Sequence, residues 1–257
     1  MTQIQTEAPD TEREQPAGLA ARRAAMKTLV AILDRRQSLD EAVNQNNTLN
    51  DMPANDRAFA RLLVNTVLRR LPEIDSAFQK FLGRPLPKNP KELSQLLRTG
   101  TAQLLFLNTP AHAAVDTSVK LAIQKKQGMY KKLINAILRR VTRESSALLE
   151  SQDAEKLNTP DWLWSSWIAA YGEEATRNIA KAHLKIPALD LWVKSEPNLW
   201  AQKLGGQSLP TGGIRLPSAT NVAGLEGFKD GAWWVQDAAA SLPVQLFGSD
   251  LKGKMIA

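Results

Sequence analysis

The side chains in this sequence with the clearest chemical capacity are cations set in pairs: Arg22-Arg23, Arg35-Arg36, Arg69-Arg70, Lys125-Lys126, Lys131-Lys132 and Arg139-Arg140. Lysine and arginine neutralise phosphates, which sets affinity and makes it salt-dependent, and arginine also stacks on unpaired bases. A single pair fits better a solvated helix end, where cations meet the negative pole of the helix dipole; Arg69-Arg70 reads that way. The excess of cations as a whole is the stronger signal. Residues 1–18 hold one base and four acids, residues 19–147 hold 22 bases and 10 acids, and residues 148–257 hold 10 bases and 12 acids. A positive field confined to one segment points to a polyanionic partner, nucleic acid ahead of lysine kept for solubility.

Groups for making and breaking bonds are sparse. His112 lies in Thr109-Pro-Ala-His-Ala-Ala-Val-Asp116, and a lone histidine beside proline at a helix start reads as structural. His183 reads the same way, and neither has a cysteine, a second histidine or a serine dyad nearby in sequence to complete a catalytic or metal group. With no cysteine there is no thiolate nucleophile, disulfide or Cys-based zinc site. Neither a GxGxxG turn, a P-loop nor a metal-ligand spacing is present, so no metal is expected. No apolar run reaches the roughly 18 residues of a membrane span, and the polar, acidic start is no signal peptide. These features lead to the expectation of a cytoplasmic protein that does not engage membranes.

The elements that would position the cations are helical. Residues 1–18 are expected to be a disordered acidic tail. From Leu19 an apolar set (Leu19, Ala20, Ala24, Met26, Leu29, Val30, Ile32, Leu33) recurs near the 3.6 period, with Arg22, Arg23 and Lys27 assigned to the other side. Ser38-Leu-Asp-Glu41 is a capping box that starts a second helix, and 44–50 reads as a polar loop. Asn55-Asp56 opens a long helix that Leu71-Pro72 interrupts, with a further helix to Leu82 at a new angle. An apolar helix around Leu93–Phe106, with Gly100 inside it, ends at Asn108-Thr109-Pro110. Helices over 113–126 and 130–143 are joined at Gln127-Gly128, where glycine is expected to take the left-handed cap. Residues 19–147 thus read as a bundle of about seven helices.

Thr159-Pro160-Asp161 then starts a helix to Tyr171, and Glu173 to His183 forms its partner. Trp162, Trp164 and Trp167 fall on helical spacing and read as packing residues rather than base-stacking platforms. After Pro187 the period changes to two. Leu189–Lys194, Ile214–Leu216 and Trp233–Val235 are strand candidates between glycine-marked turns, 237–247 a helix candidate, and Lys254-Met-Ile-Ala257 the start of a buried strand.

The run LLRTGTAQLLFLNTPAHAAVDTSVKLA, followed by KKLINAILRRV, resembles the last helices of the NusB fold. TPDWLWSSWIAAYGEEATRNIAKAHLKIPALDLWVK and LEGFKDGAWWVQDAAASL resemble the linker and pre-catalytic region of the RsmB (Sun/Fmu) family, rRNA cytosine-5 methyltransferases with a NusB-like N-terminal domain. The resemblance runs from about Leu19 to Ala257. It departs at His183-Leu-Lys-Ile-Pro187, where the family commonly has asparagine followed by two prolines, and after Val-Gln-Asp237, where the family tends to have a serine in the segment that here reads Ala238-Ala-Ala-Ser241.

The resemblance implies a mainly α chain: a NusB-like helical RNA-binding domain at 19–147, a helical linker at 148–187, and an α/β pre-catalytic segment at 188–257 ending in the first strand of an incomplete Rossmann-like domain. It implies small-subunit rRNA as partner, with the first helix facing RNA. Arg22, Arg23 and Lys27 are the leading candidates for phosphate contact, joined by Lys131, Lys132, Arg139 and Arg140. S-adenosylmethionine is expected for the full-length family, in a loop past the strand at 254–257, so this chain is expected to bind none. The family's cysteine nucleophile also lies beyond that point, so catalysis is not expected of this chain as given. Gln236 and Asp237 would shape the wall of the catalytic domain without a catalytic role. Two alternatives stay open. One is a NusB-like antitermination adaptor that binds RNA with a ribosomal protein, against which the second half of the chain argues. The other is a non-functional fragment.

Overall fold

The computed structural model describes residues 18–217 and 222–246, which form a mainly helical chain with a small antiparallel sheet near its C-terminal side. It comprises two compact units that divide between Leu184 and Lys185. The tail at 1–17, the strand start at Lys254–Ala257 and the helix end at Phe247 lie outside the described residues.

The first unit is built around α1 (Leu19–Arg35), which packs against α4 (Ala54–Arg69) and α6 (Lys91–Phe106). Being central, α1 is buried nearly all round: Leu19, Ala21, Ala24, Ala25, Met26 and Leu29 are each at most 1% exposed. Leu63, Val67, Ile74, Phe78, Leu96, Leu97, Ile134 and Leu138 complete the same core. Ser38 and Glu41 form the full capping box that starts α2 (Leu39–Asn44). The expected loop at 44–50 contains one helical turn, α3 (Asn47–Asn50), because Leu49 is buried and Asn46 ties this corner to α1. α5 (Leu71–Gln79) takes Pro72 in its first turn, where no amide donor is needed.

α7 (Ala111–Gln124) and α8 (Lys131–Arg143) pack against each other and against α6. A Cβ on Gly100 of α6 would lie 2.7 Å from Leu138 Cδ1 of α8, so the absence of a side chain there sets how closely these helices approach. The turn between α7 and α8 corrects the expectation for Gly128. The left-handed residue is Lys126 (φ 59), and Gly128 opens a 3₁₀ turn at Gly128–Tyr130.

α9 (Ser145–Glu150), α10 (Ala154–Leu157) and α11 (Asp161–His183) complete the first unit. α11 is interrupted at Gly172 (φ 78, ψ 173), and its halves fold back so that Trp167 meets His183 edge-on at 5.3 Å. Glu73 of α5 anchors this region. Its carboxylate accepts from Arg70 (2.8 Å) and Asn158 (2.9 Å), and its carbonyl accepts from Gln152. Arg70 also stacks on Phe106, so it is a half-buried joint and not a solvated helix end.

The second unit holds a sheet of order β2-β3-β1-β4, built from β1 (Leu189–Val193), β2 (Gln207–Ser208), β3 (Gly213–Leu216) and β4 (Trp233–Val235), with every neighbouring pair antiparallel. Leu191, Val193, Ile214, Leu216 and Trp233 on one face pack with Ala201 of α12 (Pro197–Leu204). α12 went unread in the sequence, although Pro197 opens it and Gly205 closes it in the left-handed conformation. α13 (Ala238–Gln245) starts at Asp237, whose side chain accepts from the Ala239 amide, while Gln236 accepts from the indole of Trp234. Asp190 of β1 accepts from Arg215 through two bonds of 2.7 Å and from the Ala238 amide, joining strand, strand and helix.

Candidate nucleic-acid interface

The helix order determines which cations meet. Asp34, near the end of α1, accepts from Lys91 and Gln95 at the start of α6. Glu92 of α6 accepts from Gln127, just past the end of α7, and Arg35 of α1 lines one groove with Lys125. Arg23, in the second turn of α1, donates to Gln124 at 2.8 Å, so the end of α7 also reaches back along α1. The C-terminal ends of α1 and α7 and the N-terminal ends of α6 and α8 therefore share one end of the bundle. Arg35, Arg36, Lys91, Lys125, Lys126, Lys131 and Lys132 all belong to these segments, and all but the half-buried Lys125 are exposed.

At this end lies a groove of about 440 Å³ whose lining includes Lys27, Arg35, Lys125, Asn46, Thr48 and Glu92. Lys27, the exposed cation of α1's middle turns, donates to Thr48 at 3.2 Å. Asn46 is buried and donates to the Ala24 carbonyl and the Thr28 hydroxyl, which fixes the α2–α3 wall of the groove. A polar cleft with cations at its rim suits a phosphate-bearing ligand.

α8 carries a second stretch of positive charge. Ile134, Ile137, Leu138 and Val141 face the core, and Lys131, Lys132, Arg139, Arg140 and Arg143 are exposed on the opposite side. Arg140 is partly committed, lying over the Phe81 ring at 4.4 Å and 3.6 Å from Glu144. Arg139 donates through Nε to Asn135 and, with Arg143, lines a groove of about 560 Å³ against Ala111, His112 and Val115 of α7.

Arg22 requires a correction. The expectation put it on the polar side of α1; it is 8% exposed, with Nε donating to Gln103 at 2.6 Å, Nη1 donating to the Gly18 carbonyl, and its guanidinium 4.8 Å from the Phe59 ring centroid. Burial lowers its pKa, with Asp56 acting in the opposite direction. Of the three α1 candidates, Arg23 and Lys27 reach the surface. The sequence reading also missed the contribution of Arg35 and Lys125 to one groove; their pairing needed the α1–α7 arrangement, which no local pattern encodes.

The tryptophans of α11 divide. Trp162 is 73% exposed, contrary to its reading as a packing residue, whereas Trp164 lies between Lys156 and Arg177 and Trp167 against His183. His112 and His183 are both exposed. Among the described residues there is no group of three or more acids or histidines placed to hold a metal ion, and no helix long and apolar enough to cross a membrane.

Comparison with known proteins gives three results. The NusB family model matches residues 19–143. Ribosomal RNA small subunit methyltransferase B of Xanthomonas campestris pv. campestris is 31% identical over 237 residues, covering 87% of this chain and 52% of that protein. The probable enzyme of the same name from Synechocystis is 30% identical (89% and 55% coverage), and that of Pectobacterium carotovorum subsp. carotovorum is 32% identical (85% and 53%). The chain thus spans about half the length of the curated relatives it matches. A solved structure titled Crystal Structure of PH0851 superposes with a TM-score of 0.53 at 13% identity, covering 87% of this chain and 54% of that one, a likeness of fold alone.

Proposed function

From a chain whose residues 19–143 carry a NusB-family domain, and which is about 30% identical over most of its length to small-subunit rRNA methyltransferase B proteins, we propose that its function is to bind RNA. In this reading it is the N-terminal, RNA-holding part of an S-adenosylmethionine-dependent rRNA cytosine-5 methyltransferase, and its partner is small-subunit rRNA. The observation that carries the proposal is the meeting of Lys27 and Arg35 of α1 with Lys125, from the distant end of α7, around one polar groove. Cations kept for solubility have no reason to converge on a cleft. Lys131, Lys132, Arg139 and Arg143 extend the surface along α8, and Arg23 borders it on α1. The similarity to the methyltransferases continues past residue 143 into the second unit, which favours this reading over a stand-alone adaptor.

S-adenosylmethionine is assigned to no residue here. The sheet among the described residues is wholly antiparallel, without the parallel-strand switch point at which such a cofactor is usually held. The side chains present bind and orient RNA, and methyl transfer belongs to the proposed whole enzyme.

Fluorescence anisotropy with a labelled small-subunit rRNA fragment tests the proposal. Affinity is expected to fall by roughly a hundredfold or more between about 50 and 200 mM salt, as several phosphate contacts release their counterions. Lys27→Glu with Lys125→Glu should weaken binding at least about tenfold and flatten the salt dependence. Unchanged affinity in that variant, with its helical circular dichroism intact, would overturn the proposal.

A further inference from the structure

We propose that the groove between α7 and α8 is an interaction surface for the chain's own acidic segment, residues 1–17. Arg139 and Arg143 stand one turn apart on α8, and both are exposed. Arg139 uses Nε on Asn135, which leaves its two terminal NH2 groups to meet a carboxylate. Across from them, Val115 and Val119 of α7 give an apolar flank, and His112 adds donor capacity. Asp116, the carboxylate on this groove, is paired with Lys120 at 2.8 Å.

The segment has matching chemistry and joins the fold at the right place. It carries Glu7, Asp10, Glu12 and Glu14 against a single Arg13, and it precedes the NusB-family match, which begins at residue 19. Its attachment point, Gly18, accepts from Arg22, which is bonded in turn to Gln103 in the last turn of α6. From there residues 107–110 lead directly to the start of α7 and His112, and α8, antiparallel to α7, brings Arg139 and Arg143 to the same end. Lys27, which lines the other groove, lies nine residues from Gly18 along α1, roughly 13 Å of helical rise, beside Asn46 and Thr48 of the α2–α3 corner. Seventeen residues span at most about 60 Å, so the α7–α8 groove is well within reach. Covalent attachment makes docking intramolecular and raises the effective concentration of carboxylates far above that of a free peptide. Each exposed ion pair is weak and screened, so docking is reversible and salt-sensitive.

The consequence rests on the proposed RNA reading. Carboxylates on Arg139 and Arg143 withhold those two cations from phosphate, so the segment competes with RNA for part of the same surface.

The absence of cysteine from residues 1–257 makes Thr11→Cys a unique labelling position among them. With a nitroxide there, paramagnetic broadening is expected at His112, Val119 and Thr142 near 50 mM salt. It should disappear near 500 mM salt and in Arg139→Glu/Arg143→Glu. Broadening centred on Lys27 and Lys125, or seen when labelled protein is mixed with unlabelled isotopic protein, would assign the segment to the other groove or to a second copy and overturn the proposal. In a parallel measurement, Glu7→Gln/Asp10→Asn/Glu12→Gln/Glu14→Gln should tighten RNA binding roughly three- to tenfold at low salt, the sum of a few exposed ion pairs. Unchanged affinity would refute the competition. The broadening experiment needs no RNA, so failure of RNA binding itself would be recognised separately.

Discussion

The guanidinium of Arg22 is held by Gln103, the Gly18 carbonyl and the face of Phe59, and burial lowers its pKa. Removing it would strand the Gln103 carbonyl oxygen, because Gln103 is 1% exposed and its amide nitrogen is already used on the Thr99 carbonyl. A buried acceptor without a donor, added to the loss of a charge-assisted bond, costs about 2–3 kcal/mol. Arg22→Ala should therefore lower the melting temperature by roughly 5–10 °C, while RNA affinity of the folded variant stays near that of the parent. Lys27→Glu should do the reverse, keeping stability and losing affinity. Calorimetry and anisotropy on both variants check the pair; equal loss of affinity would return Arg22 to the surface. The sequence concealed this difference for a physical reason. In a central helix packed on several sides, the 3.6-residue pattern no longer separates inside from outside, and the partner that explains Arg22 is 81 residues away.

Helix boundaries were legible at several points where a local bond sets them, although α10, capped by Asp153, went unread. Ser38 and Glu41 cap each other within four residues, and Pro72 needs no donor in the first turn of α5. Legibility failed where tertiary packing decides, as with α3, which Leu49 and Asn46 hold against α1, and with the left-handed residue after α7, which is Lys126 and not the nearby glycine. The sequence reading ended one helix at Tyr171 and began another at Glu173, and the one non-helical residue of α11 is Gly172 between them. Its φ of 78 and ψ of 173 lie in a region that residues with a Cβ essentially avoid, although the space around it is open. Gly172→Ala consequently meets no clash, but must bear about 1–3 kcal/mol of backbone strain or let 161–183 straighten into one helix. Straightening would part Trp167 from His183 and pull Arg177 from Asp153, now bonded at 3.0 Å. Lower thermal stability with a changed near-ultraviolet tryptophan signal is expected. A variant as stable as the parent with an unchanged signal would show that the reversal of α11 does not depend on glycine.

The two units differ most in the size of their cores. Among the described residues, the first gathers side chains from α1, α4, α5, α6, α7 and α8 into one cluster, whereas the second shows only Leu191, Val193, Ala201, Ile214, Leu216 and Trp233 buried together. A core that small leaves little margin over chain entropy, so single polar joints carry more weight. The main one is Asp190, whose carboxyl lies below its ordinary pKa chiefly because Arg215 donates to it, with the Ala238 amide adding to the effect and burial opposing it. A carboxyl lowered on folding contributes stability that is fully present above its unfolded pKa of about 3.9 and is lost as pH falls through the lower folded value. In a urea series at pH 7, pulse proteolysis should digest the second unit at lower urea than the first, and acidification below about pH 4 should widen the gap. Asp190→Asn should bring the second unit's midpoint down at pH 7 and remove most of its further fall in acid, because the titrating group is gone. A single transition at every pH, or an acid response unchanged in Asp190→Asn, would mean that the sheet is held by something other than this carboxylate.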